Sequence, residues 1–260
     1  MRGLILALAA LVLCTAPYAY AGQPGPWYTT LGFEQPGFVP GPVNNQGNWP
    51  MANPPGWIGY GVAGGMAPQV INDPTGANRG QVVEFATTTQ GDASGMDILW
   101  PSTATSNYVV EIEYDMYRTE LNVNNFWWWN PDAGDFTYGL EWDGTQAAHP
   151  FGWGPGAGQW PATLRGWDHI AMEWNFRNQT VSSWVNGNVV DNAIPMGANG
   201  PKDITGFTFY FGHDGGLGPQ TTLAYVDDFN ATVLVPEPGA FFVLASGLGM
   251  ICAGLKRRRT

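Results

Sequence analysis

The chain has 260 residues and a formal net charge of −11, with 36 glycines, 21 prolines, 13 tryptophans and only two cysteines. A field of that sign repels nucleic acid and anionic lipid and attracts cations, which excludes a nucleic-acid partner. Cys14 and Cys252 both lie in apolar terminal segments, so the region between them has no disulfide and must draw its stability from core size, or from a bound ion.

Arg2 precedes an apolar run over residues 4–13, and Ala19-Tyr20-Ala21 offers the small residues a signal peptidase reads, so residues 1–21 are expected to be a signal peptide cleaved after Ala21. A lipoprotein reading on Cys14 is set aside, because bulky Leu13 stands where a small residue is needed. Residues 22–235 then carry five basic side chains (Arg79, Arg118, Arg165, Arg177 and Lys202) against twenty acidic ones, a net charge of −15. No stretch of this region keeps helical apolar spacing over three turns, and no fixed-period repeat appears, so it reads as one all-β domain.

Residues 27–33 form a first expected strand, and the Pro, Gly and Asn of 34–56 an irregular loop. Further strands are predicted at 81–88, 96–100, 108–117, 136–142, 169–176, 180–185, 188–191, 204–211 and 222–235, a pattern of short strands and turn signals that argues for a sandwich or barrel. Ile170, Met172, Trp174 and Phe176 alternate with His169, Ala171, Glu173 and Asn175, which predicts one buried face and one wet face. Asn186-Gly187 between two apolar runs is a hairpin signal, because both central residues of the turn need positive φ. Together these predict a three-stranded meander.

Trp167-Asp168-His169-Ile170 leading through Thr180-Val181 to Trp184-Val185-Asn186-Gly187 resembles the core of concanavalin A-like, laminin-G-type jelly rolls. Gly32-Phe33-Glu34, Gly47-Asn48-Trp49 and Tyr225-Val226-Asp227-Asp228-Phe229 are similar to the edges of such sandwiches and of some carbohydrate-binding modules. The resemblance implies a two-sheet antiparallel β-sandwich over residues 22–235, with first and last strands side by side.

Four groups of residues carry candidate chemistry. Glu111, Glu113 and Asp115 stand at alternate positions of one strand and so share a face. Retaining glycosidases need two carboxyls about 5 Å apart, and jelly-roll glucanases carry Glu-x-Asp-x-x-Glu, which this strand does not match. The row therefore reads either as a solvated acidic face opposite Val110, Ile112, Tyr114 and Met116, or as the acids of a polysaccharide hydrolase or lyase. His149, His169 and His213 lack metal-ligand spacing, and no nucleophile elbow accompanies them.

Asp227 falls where alternation through Leu223, Tyr225, Phe229, Ala231 and Val233 expects an inward side chain, and a buried carboxylate needs a cation or hydrogen bonds. Ca²⁺ is the expected cation, since it takes carboxylate and carbonyl oxygens, and the resemblance adds Glu34 as a second ligand. A strand slipped by one residue would instead turn Asp227 outward. In Phe126-Trp127-Trp128-Trp129, neighbouring tryptophans must alternate sides, so at least one meets solvent or a groove, a platform for a sugar ring. Trp153 and Trp160, in a Gly/Pro-rich loop, are expected to join it or to cover it.

The last segment is Val235-Pro236-Glu237-Pro238, an apolar run over 239–255 and a basic end in Lys256, Arg257, Arg258 and Arg259. About 17 apolar residues suffice to cross a thin or tilted bilayer, and the basic end stays cytoplasmic. This order resembles the PEP-CTERM sorting signal of Gram-negative bacteria, in which an exosortase cuts near the Pro-Glu-Pro; a plain single-pass anchor is the alternative. The resemblance implies passage through signal peptidase, a transient inner-membrane intermediate and exosortase to the envelope, the outer surface or the extracellular matrix. Three roles stay open: non-catalytic binding of exopolysaccharide or another glycan, which the sequence favours; a polysaccharide hydrolase or lyase; and a structural surface protein.

Overall fold

The computed structural model describes residues 28–30, 32–47, 56–62, 65–87, 93–99, 109–119, 123–129, 139–143, 147–151, 160–161, 163–195, 206–213 and 221–234. The expected signal peptide over residues 1–21, the 236–260 segment with its expected membrane helix, and Trp153 lie outside these residues. Among the described residues every regular element is a strand, as the apolar alternation predicts. The compact unit that holds the sandwich runs Gly25–Val233.

Two antiparallel sheets form a β-sandwich. The first follows the order β14 (Asn188–Pro195), β13 (Thr180–Val185), β12 (Trp167–Asn175), β7 (Val109–Arg118), β16 (Thr221–Leu234), β5 (Gln81–Thr87), β4 (Gln69–Asn72) and β2 (Gly41–Pro42). A short β1 (Tyr28–Thr29) also pairs with β16, Tyr28 opposite Ala231, so first and last strands are neighbours as the resemblance implies. The second sheet follows β11 (Trp160–Pro161), β10 (Ala147–Phe151), β9 (Gly139–Asp143), β8 (Val123–Trp129), β15 (Gly206–His213), β6 (Ala93–Leu99) and β3 (Ile58–Val62).

Period-two burial explains why these sheets stack. On β7, Val110, Ile112, Tyr114 and Met116 are fully buried, and on β12 Ile170, Met172 and Trp174 face the same layer. The second sheet answers with Phe207, Phe209 and Phe211 of β15, also buried. Phe211 packs 4.4 Å from Phe85, Phe209 meets Tyr114 edge-on at 4.9 Å, and Phe207 lies 5.3 Å from Phe229. Trp57, which leads into β3, closes the end of this cluster against Phe33, Phe209 and Phe229. The β12–β13–β14 meander forms as predicted, with Asn186 at φ 51 and Gly187 at φ 75 in the β13–β14 turn.

The alternation expected for the last strand holds only in part. Ala224 and Val226 face the core, then Asp228 adopts φ 50 and the buried positions resume at Phe229 and Ala231. A register shift between Thr222 and Ala224 adds to this change of phase. Tyr225 is consequently on the outer face of the sheet, where it meets Tyr117 of β7 at 5.9 Å. Asp227 follows it at the next outward position and is nonetheless buried, with Arg79 Nη1 3.3 Å from its Oδ2.

Candidate functional site on the outer face of the first sheet

The outer face of β7 presents Glu111, Glu113, Asp115 and Tyr117 in a row. Antiparallel register sets Glu173, Ala171, His169 and Trp167 of β12 opposite them in the same order. Cross-strand partners share a face and stand about 4.5–5.5 Å apart at Cβ, so the row has an acidic end, a charged centre and an aromatic end.

At the acidic end Glu111 and Glu173 are direct partners. Burial raises the Glu111 carboxyl above its usual range, with further contributions from the charges of Glu173 and Glu113, and burial raises Glu173 as well. Glu111 and Glu173 are therefore partly desolvated.

The centre is built by the loop between β4 and β5. Asp73 organises it: its carboxylate accepts hydrogen bonds from the Thr75 amide at 2.8 Å, the Thr75 hydroxyl at 2.6 Å and the Arg79 amide at 3.1 Å. Burial opposes the Asp73 charge, but these hydrogen bonds and Arg79 outweigh it and hold the carboxyl below its usual range. The loop carries Arg79 over the sheet. Its Nη1 lies 2.6 Å from Asp115 Oδ2, 3.3 Å from Asp227 Oδ2 and 3.2 Å from Asp228 Oδ2. The guanidinium also stacks 4.1 Å above the Trp167 ring, a cation–π contact. Trp167 Nε1 in turn donates to Thr75 Oγ1 at 3.2 Å, so the loop and the indole hold each other. His169 Nδ1 is 2.7 Å from Asp115 Oδ1, which places Asp115 between an imidazole and a guanidinium.

Asp227 is raised to about 6, first by burial and then by the adjacent Asp228, against the opposing pull of the Asp228 amide and Arg79. Glu34 is brought to the same neighbourhood: a Cβ placed on Gly32 would lie 3.3 Å from Asp228 Oδ1, 3.5 Å from Asp227 Oδ1 and 3.7 Å from Glu34 Cγ. Its carboxylate accepts the Gln81 amide at 2.6 Å and fixes the start of β5.

The aromatic end borders a shallow, open cavity of ≈ 210 Å³ lined by Pro74, Thr75, Tyr117, Thr119, Arg165 and Tyr225. Tyr117 packs against Trp167 at 5.6 Å and Tyr225 at 5.9 Å, so three rings lie together on this part of the sheet. The 163–166 turn brings Arg165 to the rim. That turn hangs on buried Asp168, which accepts the Thr163 amide at 2.8 Å, the Thr163 hydroxyl at 2.6 Å and Asn186 Nδ2 at 2.8 Å. Arg165 itself sits at φ 55, held by its amide on the Arg118 carbonyl at 2.8 Å. The site can thus offer ring faces and a guanidinium to one small ligand, while the Thr75 and Thr119 hydroxyls are held by Asp73 and by the Leu223 carbonyl.

No protein-family model matches the sequence, and no curated protein matches it. Among solved structures the chain is similar to a sialidase (12% identity, TM-score 0.48, covering 71% of this chain and 17% of that one). It is similar also to the carbohydrate recognition domain of Emp46p (8% identity, TM-score 0.44, 68% and 87%) and to alginate lyase AlyC3 in complex with dimannuronate (7%, 0.41, 60% and 76%). The chain spans about a sixth of the sialidase it matches. At such scores the likeness decides nothing about this chain's ligand or chemistry.

The structure distributes the residues singled out in the sequence over both sheets. Glu111, Glu113 and Asp115 share a face as expected, and Glu34 and Asp227 both lie beside Gly32. Trp127, Trp128 and Trp129 lie on β8 in the other sheet, their backbones opposite Phe209, Thr208 and Phe207. Trp160 begins β11 of that sheet, opposite Ala148. The side chains of these four tryptophans lie outside what is described. Sequence reasoning missed Arg79, Tyr117, Tyr225 and Glu173, although the Asp73-Pro74-Thr75-Gly76 run is a turn signal that marks the loop. It also missed an acid on the second sheet: Asp97, raised by burial, accepts the Tyr60 hydroxyl at 3.2 Å.

Proposed function

We propose that the outer face of the first sheet binds a glycan, with one sugar ring in the Tyr117–Tyr225 cavity. The observation that carries this reading is the cavity itself, in which Tyr117 and Tyr225 adjoin Arg165. Aliphatic C–H faces of a pyranose pack on aromatic rings, while the guanidinium orients its polar edge. At ≈ 210 Å³ the cavity is smaller than the about 300–1,000 Å³ of sites for drug-sized ligands, which suits a single ring. The Glu111-to-Tyr117 row spans roughly 20 Å at about 3.3 Å per residue, enough for further sugars of an oligosaccharide. The terminal segments support export to the envelope or extracellular matrix, where exopolysaccharide is the glycan at hand. Intact mass spectrometry of envelope-derived protein tests the export reading, with loss of residues 239–260 as the expected result.

A glycan array with the purified chain, repeated with Tyr225→Ala, tests the binding reading. Each lost aromatic contact is expected to weaken binding by about 0.5–1.5 kcal/mol, roughly 2- to 13-fold. Unchanged binding in Tyr225→Ala and in Tyr117→Ala would sink it.

One observation favours a second reading, a polysaccharide hydrolase or lyase: Glu111 and Glu173 face each other across two strands and are both raised. Such a pair serves as acid and base only where its environments push the two pKa values apart. A reducing-sugar assay on Glu111→Gln and Glu173→Gln, together with an unsaturated-product assay, decides between the readings.

A further inference from the structure

Asp115 and the Asp227-Asp228 pair come from two adjacent central strands, yet one oxygen of each converges on a single point. The distances are 2.6, 3.3 and 3.2 Å, and the atom at that point is Arg79 Nη1. A calcium ion there would need about six to eight oxygens at roughly 2.3–2.6 Å. The remaining candidate ligand, Glu34, is engaged by the Gln81 amide. Among the described residues no group of three or more His, Cys, Asp or Glu side chains is arranged to hold a metal ion. The residues as they stand therefore do not fit calcium.

We infer that Arg79 is a tethered cation: its guanidinium neutralises the carboxylates of β7 and β16 and cross-links them to the 73–80 loop, the work a structural ion would otherwise do. Asp73 shapes the loop that delivers it, and Trp167 supports the flat side of the guanidinium while its indole nitrogen binds the same loop. A guanidinium stays charged at every pH the fold experiences and cannot be chelated. Stability is accordingly independent of divalent ions, and a requirement for them appears only when the arginine is removed.

Thermal unfolding of the purified full-length chain in detergent tests this, with EDTA and with millimolar CaCl₂. The parent keeps one Tm in both. Arg79→Ala loses about 4–8 °C, taking about 2–4 °C per unit of lost stability for a domain of this size, and regains at least half of it in CaCl₂. Asp227→Asn raises the Tm of Arg79→Ala without calcium by more than it raises that of the parent, because one of the uncompensated charges is gone. A parent Tm that rises in CaCl₂ or falls in EDTA overturns the inference. So does an Arg79→Ala protein that does not respond to calcium and gains no more from Asp227→Asn than the parent does, since Arg79 would then act by packing alone. Where Arg79→Ala does not fold, Arg79→Lys keeps the charge: it is expected to stay calcium-insensitive, and a calcium-dependent gain in its Tm counts against the tethered cation.

Discussion

Asp227→Asn should change how stability depends on pH, and the direction follows from the sign of one shift. Asp227 is raised from 3.8 to about 6 in the folded protein. The folded state then binds a proton that the unfolded chain has released, so this residue's contribution is fully present below pH 3.8 and is lost as pH rises through about 6. That interval is worth roughly 3 kcal/mol at 1.4 kcal/mol per pKa unit, an order-of-magnitude ceiling. At about 2–4 °C per kcal/mol this is roughly 6–12 °C in Tm. Asparagine has no proton to lose, and its Oδ1 can still accept the Asp228 amide that Asp227 Oδ1 accepts at 2.8 Å. Arg79 keeps Asp115 and Asp228 as partners in the variant. Relative to the parent, Asp227→Asn is therefore expected to gain stability between pH 4 and pH 7, whatever the absolute curves do. Urea or thermal unfolding at half-unit pH steps gives the difference directly. A flat difference, or one in which the parent gains as pH rises, would mean that pairing with Arg79 outweighs burial and Asp228, and would refute the reasoning.

Three further outcomes are expected. Phe209→Ala, which removes a ring touching Tyr114, Phe207, Phe229, Trp57 and Phe85, should cost about 3–5 kcal/mol by denaturant titration. Gly80→Ala places a methyl group on Glu34 Oε1 at φ +82 and should cost about 1–3 kcal/mol, part of which Glu34→Ala in the same chain recovers. Asp73→Ala, which frees the loop that carries Arg79 and one cavity wall, should weaken glycan binding more than it lowers Tm, measured by titration calorimetry beside a melting curve.

The sandwich was legible where strands repeat their pattern cleanly. Ile170 to Phe176 and Val110 to Met116 alternate without interruption, and Asn186-Gly187 announces its own turn, so β7 and the meander could be read directly. β3 and β4 could not, because Ile58-Gly59-Tyr60-Gly61 and Gln69 to Asn72 sit among prolines and glycines and acquire strand geometry only from the partners β6 and β5. The last strand misled for a different reason. A residue at positive φ, Asp228, shifts the phase in mid-strand, and nothing in an alternating sequence marks which residue will do so. The shared face of the acidic row was legible from spacing alone. The partners that make it a site were not, since Arg79 reaches it from a loop 36 residues earlier in the chain than Asp115, and Tyr225 from the other end of the domain.

The place of β16 in the middle of its sheet bears on how this protein is made. The sheet order puts β7 on one side of it and β5 on the other, while its far end takes the first strand, Tyr28 against Ala231. A ribosome that has emitted only residues 1–220 has therefore delivered two half-sheets whose facing edges are both bare. Bare edges template pairing with other chains, and contacts spanning some 200 residues form late. The nascent chain stays vulnerable until its final strand emerges, and that one segment then joins the halves and ties in the N-terminal strand. A stop codon shortly before residue 221 should accordingly yield aggregate rather than a smaller soluble domain.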